Sequence, residues 1–173
     1  MEDKPYLFLM LGLPGAGKTT TARLLADRLN AIHVSSDEIR RDIYPNSDFS
    51  QPEHDNLYMQ INTQVEHYLN NGYSVVYDAN LNRKVHRQEK YDMAESVGAK
   101  CVLVWVQTPS ELARKRRVHQ EPQHDLIPAH ESPEQMFDRI VEVFEEPDST
   151  EPYLAIDGRV VNEQSITEFI SAL

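Results

Sequence analysis

Short unbroken apolar runs alternate with longer stretches of helical spacing along most of this chain. The first run, Tyr6 to Leu11, is continuously apolar and stops at Gly12. Such a run is typical of a central parallel strand that is buried on both faces. Later runs predict further strands, at residues 32–34, 73–77, 100–106 and 152–157.

Between these runs, apolar residues recur every three to four positions, which predicts helices. The predicted helices cover residues 19–30, 36–43, 53–69, 84–97, 109–119, 133–144 and 165–172. Regular alternation of strands and helices predicts an α/β fold of three layers, with a mostly parallel five-stranded sheet between helices. In such folds, ligands bind at the carboxyl ends of the strands.

The segment from Gly12 to Thr19 follows the first strand and opens the first helix. It fits the P-loop pattern G-x-x-x-x-G-K-[ST] in full, and the flanking strand and helix agree with it. Glycines let several main-chain N–H groups approach a triphosphate, and the helix N-terminus adds the positive end of its dipole. The pattern therefore predicts an ATP site. Its predicted nucleotide contacts are Gly12, Leu13, Pro14, Gly15, Ala16, Gly17, Lys18, Thr19 and Thr20.

Three side chains of this segment have predicted roles in binding the nucleotide. The ammonium group of Lys18 is expected to contact the β- and γ-phosphates, and the hydroxyl of Thr19 to ligate Mg²⁺. Thr20 is placed to reach the α-phosphate. Asp78 ends the third strand, where a second carboxylate is expected to order Mg²⁺ and its waters. A turn residue is the alternative interpretation of Asp78.

Phosphoryl transfer to a hydroxyl also needs a carboxylate near the acceptor. Asp37 lies just past the second strand and is the candidate, although it could instead be a helix N-cap. Arg40, three residues on, is expected to hold a phosphate or acidic group of the substrate. Asn80 and Arg83 are further candidates for the acceptor pocket.

Charge and composition narrow the range of functions. The chain has 173 residues, which suits a single domain spanning 1–173, and its net charge is −11. An acidic surface makes binding of long nucleic acid improbable. No apolar run is long enough to span a membrane, and the acidic N-terminus does not resemble a signal peptide. Cys101 is the only cysteine, so a cytoplasmic location is expected.

One dense basic block, Arg114–Arg117, interrupts the acidic sequence. The block is expected to lie on the helix that begins a lid over about residues 110–132, with a mobile loop from 120 onwards. Arg117 is predicted to stabilise charge on the moving phosphoryl group, and Arg114 to contact the nucleotide. A solvated helix face is the alternative. The spacing of His119, His124 and His130 fits no compact metal site.

Three motifs resemble those of the P-loop kinases of the polynucleotide 5′-hydroxyl kinase and zeta-toxin type, a group of small AAA-like ATP-binding kinases. They are Gly12–Thr20, Ser36–Arg40 and Asp78–Asn82, with Ala79 where the polynucleotide kinases have threonine. Ile127-Pro128 and Phe144–Pro147 are weaker similarities. The resemblance implies that Asp37 activates the acceptor hydroxyl, that Arg40 holds the substrate, and that lid arginines contact the donor phosphates.

Several functions remain open from the sequence. The leading hypothesis is an ATP- and Mg²⁺-dependent phosphotransferase for a hydroxyl acceptor: a small molecule, a nucleoside or a 5′-hydroxyl nucleic-acid end. A kinase for a nucleotide sugar is an alternative within the same class. A switch module that hydrolyses nucleotide slowly is an alternative from another class, although the sequence has no Asn-Lys-x-Asp guanine motif.

Overall fold

A computed structural model describes residues 4–119 and 127–173 of the chain. Its five strands are β1 (Tyr6–Leu11), β2 (Ile32–Ser35), β3 (Val75–Asp78), β4 (Lys100–Gln107) and β5 (Tyr153–Asp157). Its helices are α1 (Lys18–Leu29), α2 (Ser36–Ile43), α3 (Gln51–Asn70), α4 (Lys84–Ser96), α5 (Ser110–His119), α6 (Pro133–Val143) and α7 (Glu163–Ile170).

The five strands form one sheet in the order β2-β3-β1-β4-β5. Every pairing is parallel, which confirms the predicted sheet and makes it parallel throughout. β1 lies in the centre and pairs with β3 on one side and β4 on the other. All five carboxyl ends therefore meet at one edge of the sheet, where the P-loop follows β1.

Side chains of β1 alternate between two apolar layers, which explains its unbroken apolar run. Leu7, Leu9 and Leu11 pack in the layer that contains apolar side chains of α3 and α4. Phe8 and Met10 pack in the opposite layer with α1 and α7. Helices thus cover both faces of the sheet, and the predicted three-layer α/β architecture is confirmed.

Element boundaries differ from the sequence predictions by a few residues, and capping explains some of the shifts. α2 begins with Ser35 as its N-cap, because the Ser35 hydroxyl accepts a hydrogen bond from the Glu38 N–H at 3.4 Å. The alternative that Asp37 is an N-cap is therefore wrong. α7 begins two residues earlier than predicted because Asn162 and Ser165 form a capping box.

The predicted mobile loop is only partly within the described ranges. Residues 127–132 lie outside regular helix or strand, and residues 120–126 of the predicted lid lie outside the described residues. Across residues 4–119 and 127–173, no helix combines the length and the apolar composition that crossing a membrane requires.

Candidate active site

A cleft of about 1100 Å³ opens at the carboxyl ends of the strands. We divide it into two halves. The P-loop half comprises the segment Gly12–Thr20, Arg116 and residues 158–161. The α2–α3 half comprises the lining residues of α2, of residues 44–50, of α3 and of the segment 78–82. Helices α5 and α6 border the cleft with further side chains.

The P-loop half is built mainly from main chain. Gly15 has a φ of 78°, and a side chain there would bring its first carbon within 2.2 Å of the Ala113 carbonyl oxygen on α5. Glycine is therefore required both by the left-handed backbone and by the close approach of α5. Gly158 is equally confined, because a Cβ there would lie 2.2 Å from the Ala16 carbonyl oxygen.

Lys18 begins α1 and lines the cleft. Its ammonium group donates hydrogen bonds to the carbonyl oxygens of Gly12, at 2.8 Å, and Leu13, at 3.1 Å. These bonds hold the positive charge of the ammonium group beside the main chain at the start of the P-loop. A phosphate group that approached the glycine N–H groups would meet this charge and the N-terminus of α1 together.

Not every residue of the P-loop motif faces the cleft. Thr19 and Thr20 are exposed and line it, together with Pro14, Gly15 and Gly17. Ala16 is buried in the core, and Leu13 lines a separate groove behind the loop. Gly12, Leu13 and Ala16 therefore shape the loop, and any contact they make with a phosphate must come from their main chain.

Asp78 ends β3 and lines the cleft with only 6% of its surface exposed. Its Oδ2 atom lies 3.2 Å from Nε2 of His33 on the neighbouring strand β2. A proton on Nε2 would donate to the carboxylate and fix its orientation. Thr19 lines the same cleft, so a hydroxyl and a carboxylate are available as the oxygen ligands that Mg²⁺ prefers.

Asp37 lies in the first turn of α2 and lines the α2–α3 half, where it is half-buried. Because Ser35 caps the helix, the Asp37 side chain is not needed for capping. Together with burial, the charge of Asp37 raises the pKa of Tyr58 on α3, which places the two side chains in the same part of the cleft. The arrangement leaves Asp37 suited to orient a hydroxyl in this half.

Arg40 lines the cleft but is 93% buried, since only 7% of its surface is exposed. Its Nη1 atom donates to the carboxylate of Glu53 on α3 and to the Ser47 hydroxyl at 3.3 Å. Glu53 is buried to the same degree, so the pair neutralises its charge within the protein. The prediction that Arg40 holds an acidic group of the substrate remains untested.

Aromatic side chains complete the wall of the α2–α3 half. Phe49 lines the cleft, with the Arg40 guanidinium 4.9 Å from its ring centroid. The rings of His54 and Tyr58 lie 4.5 Å apart and also line it. The Tyr58 hydroxyl oxygen accepts a hydrogen bond from the Asn80 N–H at 3.2 Å, which joins this wall to the segment after β3.

The basic block on α5 divides between two environments. Arg117 is buried, lines the cleft and donates from Nη2 to the Met136 sulfur on α6 at 3.1 Å. Arg116 lines the cleft and donates to the Gly158 carbonyl oxygen at 2.7 Å. Arg114 is exposed, lies 3.4 Å from Asp138 and does not line the cleft. The structure thus brings Arg117 to the site and leaves Arg114 on the outer surface.

Arg83 is also placed away from the cleft. It is the exposed N-cap residue of α4, whereas Asn80 and Asn82 line the cleft. His119 and His130 line the cleft too, and His124 lies outside the described residues.

Several cleft residues had no sequence signal that would single them out. They are the lining residues Phe49, Tyr58 and Arg139, and the fold also brings His33 against Asp78. Two further lining residues had a signal: Arg116 belongs to the basic block, and Gly158 is a glycine directly after a predicted strand.

Comparisons with known proteins show the family and the fold of the chain. A family model described as an AAA domain matches residues 7–147. An APS kinase of Mycobacterium tuberculosis, solved with AMPPNP and APS, has a TM-score of 0.73 at 17% identity, covering 97% of this chain and 96% of that one. A gluconokinase of Sinorhizobium meliloti has a TM-score of 0.66 at 14% identity, covering 98% and 93%. These likenesses show the P-loop kinase fold.

Among curated relatives, an adenylate kinase of Chlamydia trachomatis serovar D is 40% identical over 42 residues. The match covers 24% of this chain and only 17% of the relative's length. The match shows that the two proteins share a short segment. The adenylate kinase activity is that of the relative.

Proposed function

This chain belongs to the AAA domain family, and we propose that it is an ATP- and Mg²⁺-dependent kinase that transfers the γ-phosphoryl group to a hydroxyl acceptor. The observation that carries the proposal is the meeting of a complete P-loop with Asp37 and Asp78 at one cleft. A nucleotide-binding module without transfer chemistry would not need a carboxylate across from the loop. The proposal treats residues 1–173 as one kinase domain, with a lid over about 110–132.

The P-loop half would hold ATP. Main-chain N–H groups of Gly12–Thr20 and the Lys18 ammonium would bind its phosphates, with Thr20 near the α-phosphate. Arg116 and the segment 158–161 border the same half, and we propose that they contact the rest of the nucleotide. Arg114, by contrast, would reach the nucleotide only if α5 moved.

Thr19 and Asp78 would hold Mg²⁺, which when bound screens the negative charge of the phosphates. His33 would keep the Asp78 carboxylate in place. Arg117 would meet the charge that develops as the phosphoryl group leaves ATP, since it is buried, lines the cleft and lies on the helix that approaches the P-loop at Gly15. The proton of the acceptor hydroxyl would pass to Asp37.

Asn80 would contact the acceptor. Arg40 would act indirectly, by holding in place the side chains that line the α2–α3 half. Arg83 lies outside the cleft and would contact only a part of the acceptor that extends beyond it. A reducing compartment such as the cytoplasm suits a chain whose single cysteine cannot form an internal disulfide. The net charge of −11 repels long nucleic acid, so the proposed partners are ATP and an acceptor.

The polynucleotide-kinase and zeta-toxin motifs keep a 5′-hydroxyl end and a nucleotide sugar among the candidate acceptors. A slow nucleotide-hydrolysing switch is the candidate from another class. It is less well supported, because Asp37 would have no role in holding nucleotide alone.

Consumption of ATP with and without acceptors tests the proposal. Labelled ATP is incubated with the protein, Mg²⁺ and a panel of nucleosides, sugars and 5′-hydroxyl oligonucleotides. A kinase shows turnover that depends on one acceptor class and is lost in Lys18→Ala. ATP hydrolysis that no acceptor accelerates would identify a switch instead.

A further inference from the structure

We infer that the acceptor is an uncharged alcohol with a planar ring, such as a nucleoside, and that its ring packs against Phe49. The inference rests on the proposed kinase function and specifies the acceptor that the α2–α3 half selects. It depends on three observations: the backbone of Phe49, the network that holds it, and the balance of charge around it.

Phe49 has a left-handed backbone with a φ of 55°. Residues with bulky side chains rarely adopt this conformation, whereas asparagine would adopt it with less strain. Strain of this kind persists only where the surrounding structure enforces it, and it is concentrated at ligand sites. The benzyl side chain lines the cleft, so the strained backbone presents an aromatic ring to a ligand.

A network around Glu53 fixes the segment that carries Phe49. The Glu53 carboxylate accepts hydrogen bonds from Arg40, from the Ser47 hydroxyl and from the Asp48 N–H, the last at 2.9 Å. The Arg40 guanidinium also packs on the Phe49 ring. The buried ion pair therefore serves to position the ring, and Arg40 is a positioning residue in this inference.

The charge of this half disfavours an anionic acceptor. Arg40 is the only Lys or Arg among its described lining residues, and Glu53 balances its charge. Burial, followed by the nearby charge of Arg40, lowers the pKa of His54, so His54 is neutral at pH 7. Asp37 is negative. On α6, Arg139 is paired with both oxygens of Glu131. A phosphate or carboxylate near Phe49 would therefore meet, among the described lining residues of this half, only the Arg40 cation that Glu53 already binds.

Binding to protein saturated with Mg²⁺ and AMPPNP tests the acceptor class without requiring turnover. Adenosine, guanosine, cytidine and uridine are titrated by calorimetry, and methyl β-riboside and the nucleoside 3′-monophosphates serve as matched probes without the ring or with added charge. We expect at least one nucleoside to bind more than tenfold more tightly than either matched probe. The same nucleoside should accept labelled phosphate from ATP.

Phe49→Asn removes the ring and suits the left-handed backbone, and Phe49→Tyr keeps the ring as the matched control. Phe49→Asn should weaken nucleoside binding about fivefold to 150-fold, the range that stacking of a base on an aromatic ring provides. Its Tm should equal or exceed that of the wild type, and its affinity for AMPPNP should not change. A residue with only a structural role would instead lower the Tm when replaced.

The outcomes separate the two proposals. If Mg²⁺-dependent nucleotide binding is absent, the proposed kinase function fails, and this inference fails with it. If ATP binds but every nucleoside fails to bind, or the ring-free or phosphorylated probes bind better, the inference is overturned and the kinase function stands. Nucleoside binding that Phe49→Asn leaves unchanged would also overturn it.

Discussion

The two halves of the cleft are built from different parts of the chain. The P-loop half is made mostly of main chain from one short segment, and its key side chain, Lys18, belongs to that segment. The α2–α3 half is made of side chains from two helices, a loop and a strand end, and buried charges set its shape. In the proposed function, the P-loop half would recognise the phosphates common to all nucleoside triphosphates, whereas the α2–α3 half would distinguish between acceptors.

The largest expected effect comes from removing the ammonium group of Lys18 from the P-loop half. Lys18→Ala is expected to lower the rate of phosphoryl transfer about 1000-fold, because the charge on the transferred group loses its nearest ammonium. Steady-state transfer from labelled ATP measures the change. Lys18→Arg is the control that keeps the charge and alters its geometry. Full activity in Lys18→Ala would contradict the assignment of this half to the donor.

Asp37→Asn tests the opposite half with almost no change of shape. We expect turnover to fall about 100-fold because the amide cannot accept the proton of the acceptor hydroxyl. The affinity for ATP should stay within about twofold, since the proposed role of Asp37 is toward the acceptor and not toward the nucleotide. Pre-steady-state transfer and nucleotide binding are measured together. Equal losses of transfer rate and of nucleotide affinity would show that Asp37 also contributes to binding ATP, and that the two halves do not act independently.

A single methyl group tests how far the P-loop half depends on its main chain. Gly15→Ala should cost about 2 kcal/mol or more of unfolding free energy, because it combines a left-handed backbone with a clash against α5. Chemical denaturation measures the loss. Gly72→Ala is the matched control, since Gly72 also has a positive φ but has open space around it. Similar losses in both variants would leave only the backbone strain as the cause.

His33→Ala tests whether His33 keeps the Asp78 carboxylate in position, at the boundary between the halves. The expected effect is about a tenfold weaker apparent affinity for Mg²⁺, as is usual when a residue that orients a metal ligand is removed. Titration of Mg²⁺ against AMPPNP binding gives this affinity. His33→Gln, which can still donate to the carboxylate, should restore most of it. An unchanged affinity in His33→Ala would show that Asp78 needs no such support.

The smallest expected effect is a pH dependence from the α2–α3 half. Since burial lowers the pKa of His54 below its usual 6.5, the unfolded state binds a proton more readily than the folded state. His54 therefore lowers the stability of the protein as the pH falls below about 6.5. In His54→Asn, the decrease of Tm between pH 7 and 5 should be shallower. An identical slope would show that His54 titrates alike in both states.

The contrast between the halves also explains what the sequence could predict. Gly12–Thr19 is contiguous, and its chemistry is in its spacing, so the site and the parallel sheet around it could be predicted from pattern alone. Phe49, Glu53 and Tyr58 belong to an irregular segment and a helix whose relation to the cleft depends on tertiary packing. Arg114 and Arg117 are neighbours in one basic block, and only the rotation of α5 decides which of them faces inward.

The close main-chain approach of Gly158 to Ala16 ties the last part of the chain to the P-loop. The family match ends at residue 147, yet β5 and the turn at Gly158 press directly on the P-loop, and Arg116 is tethered to the same turn. A recombinant fragment cut at the edge of the match would lose part of the P-loop half of the cleft and β5, one of the two edge strands of the sheet. Sequence similarity therefore marks a shorter unit than the one that must fold together.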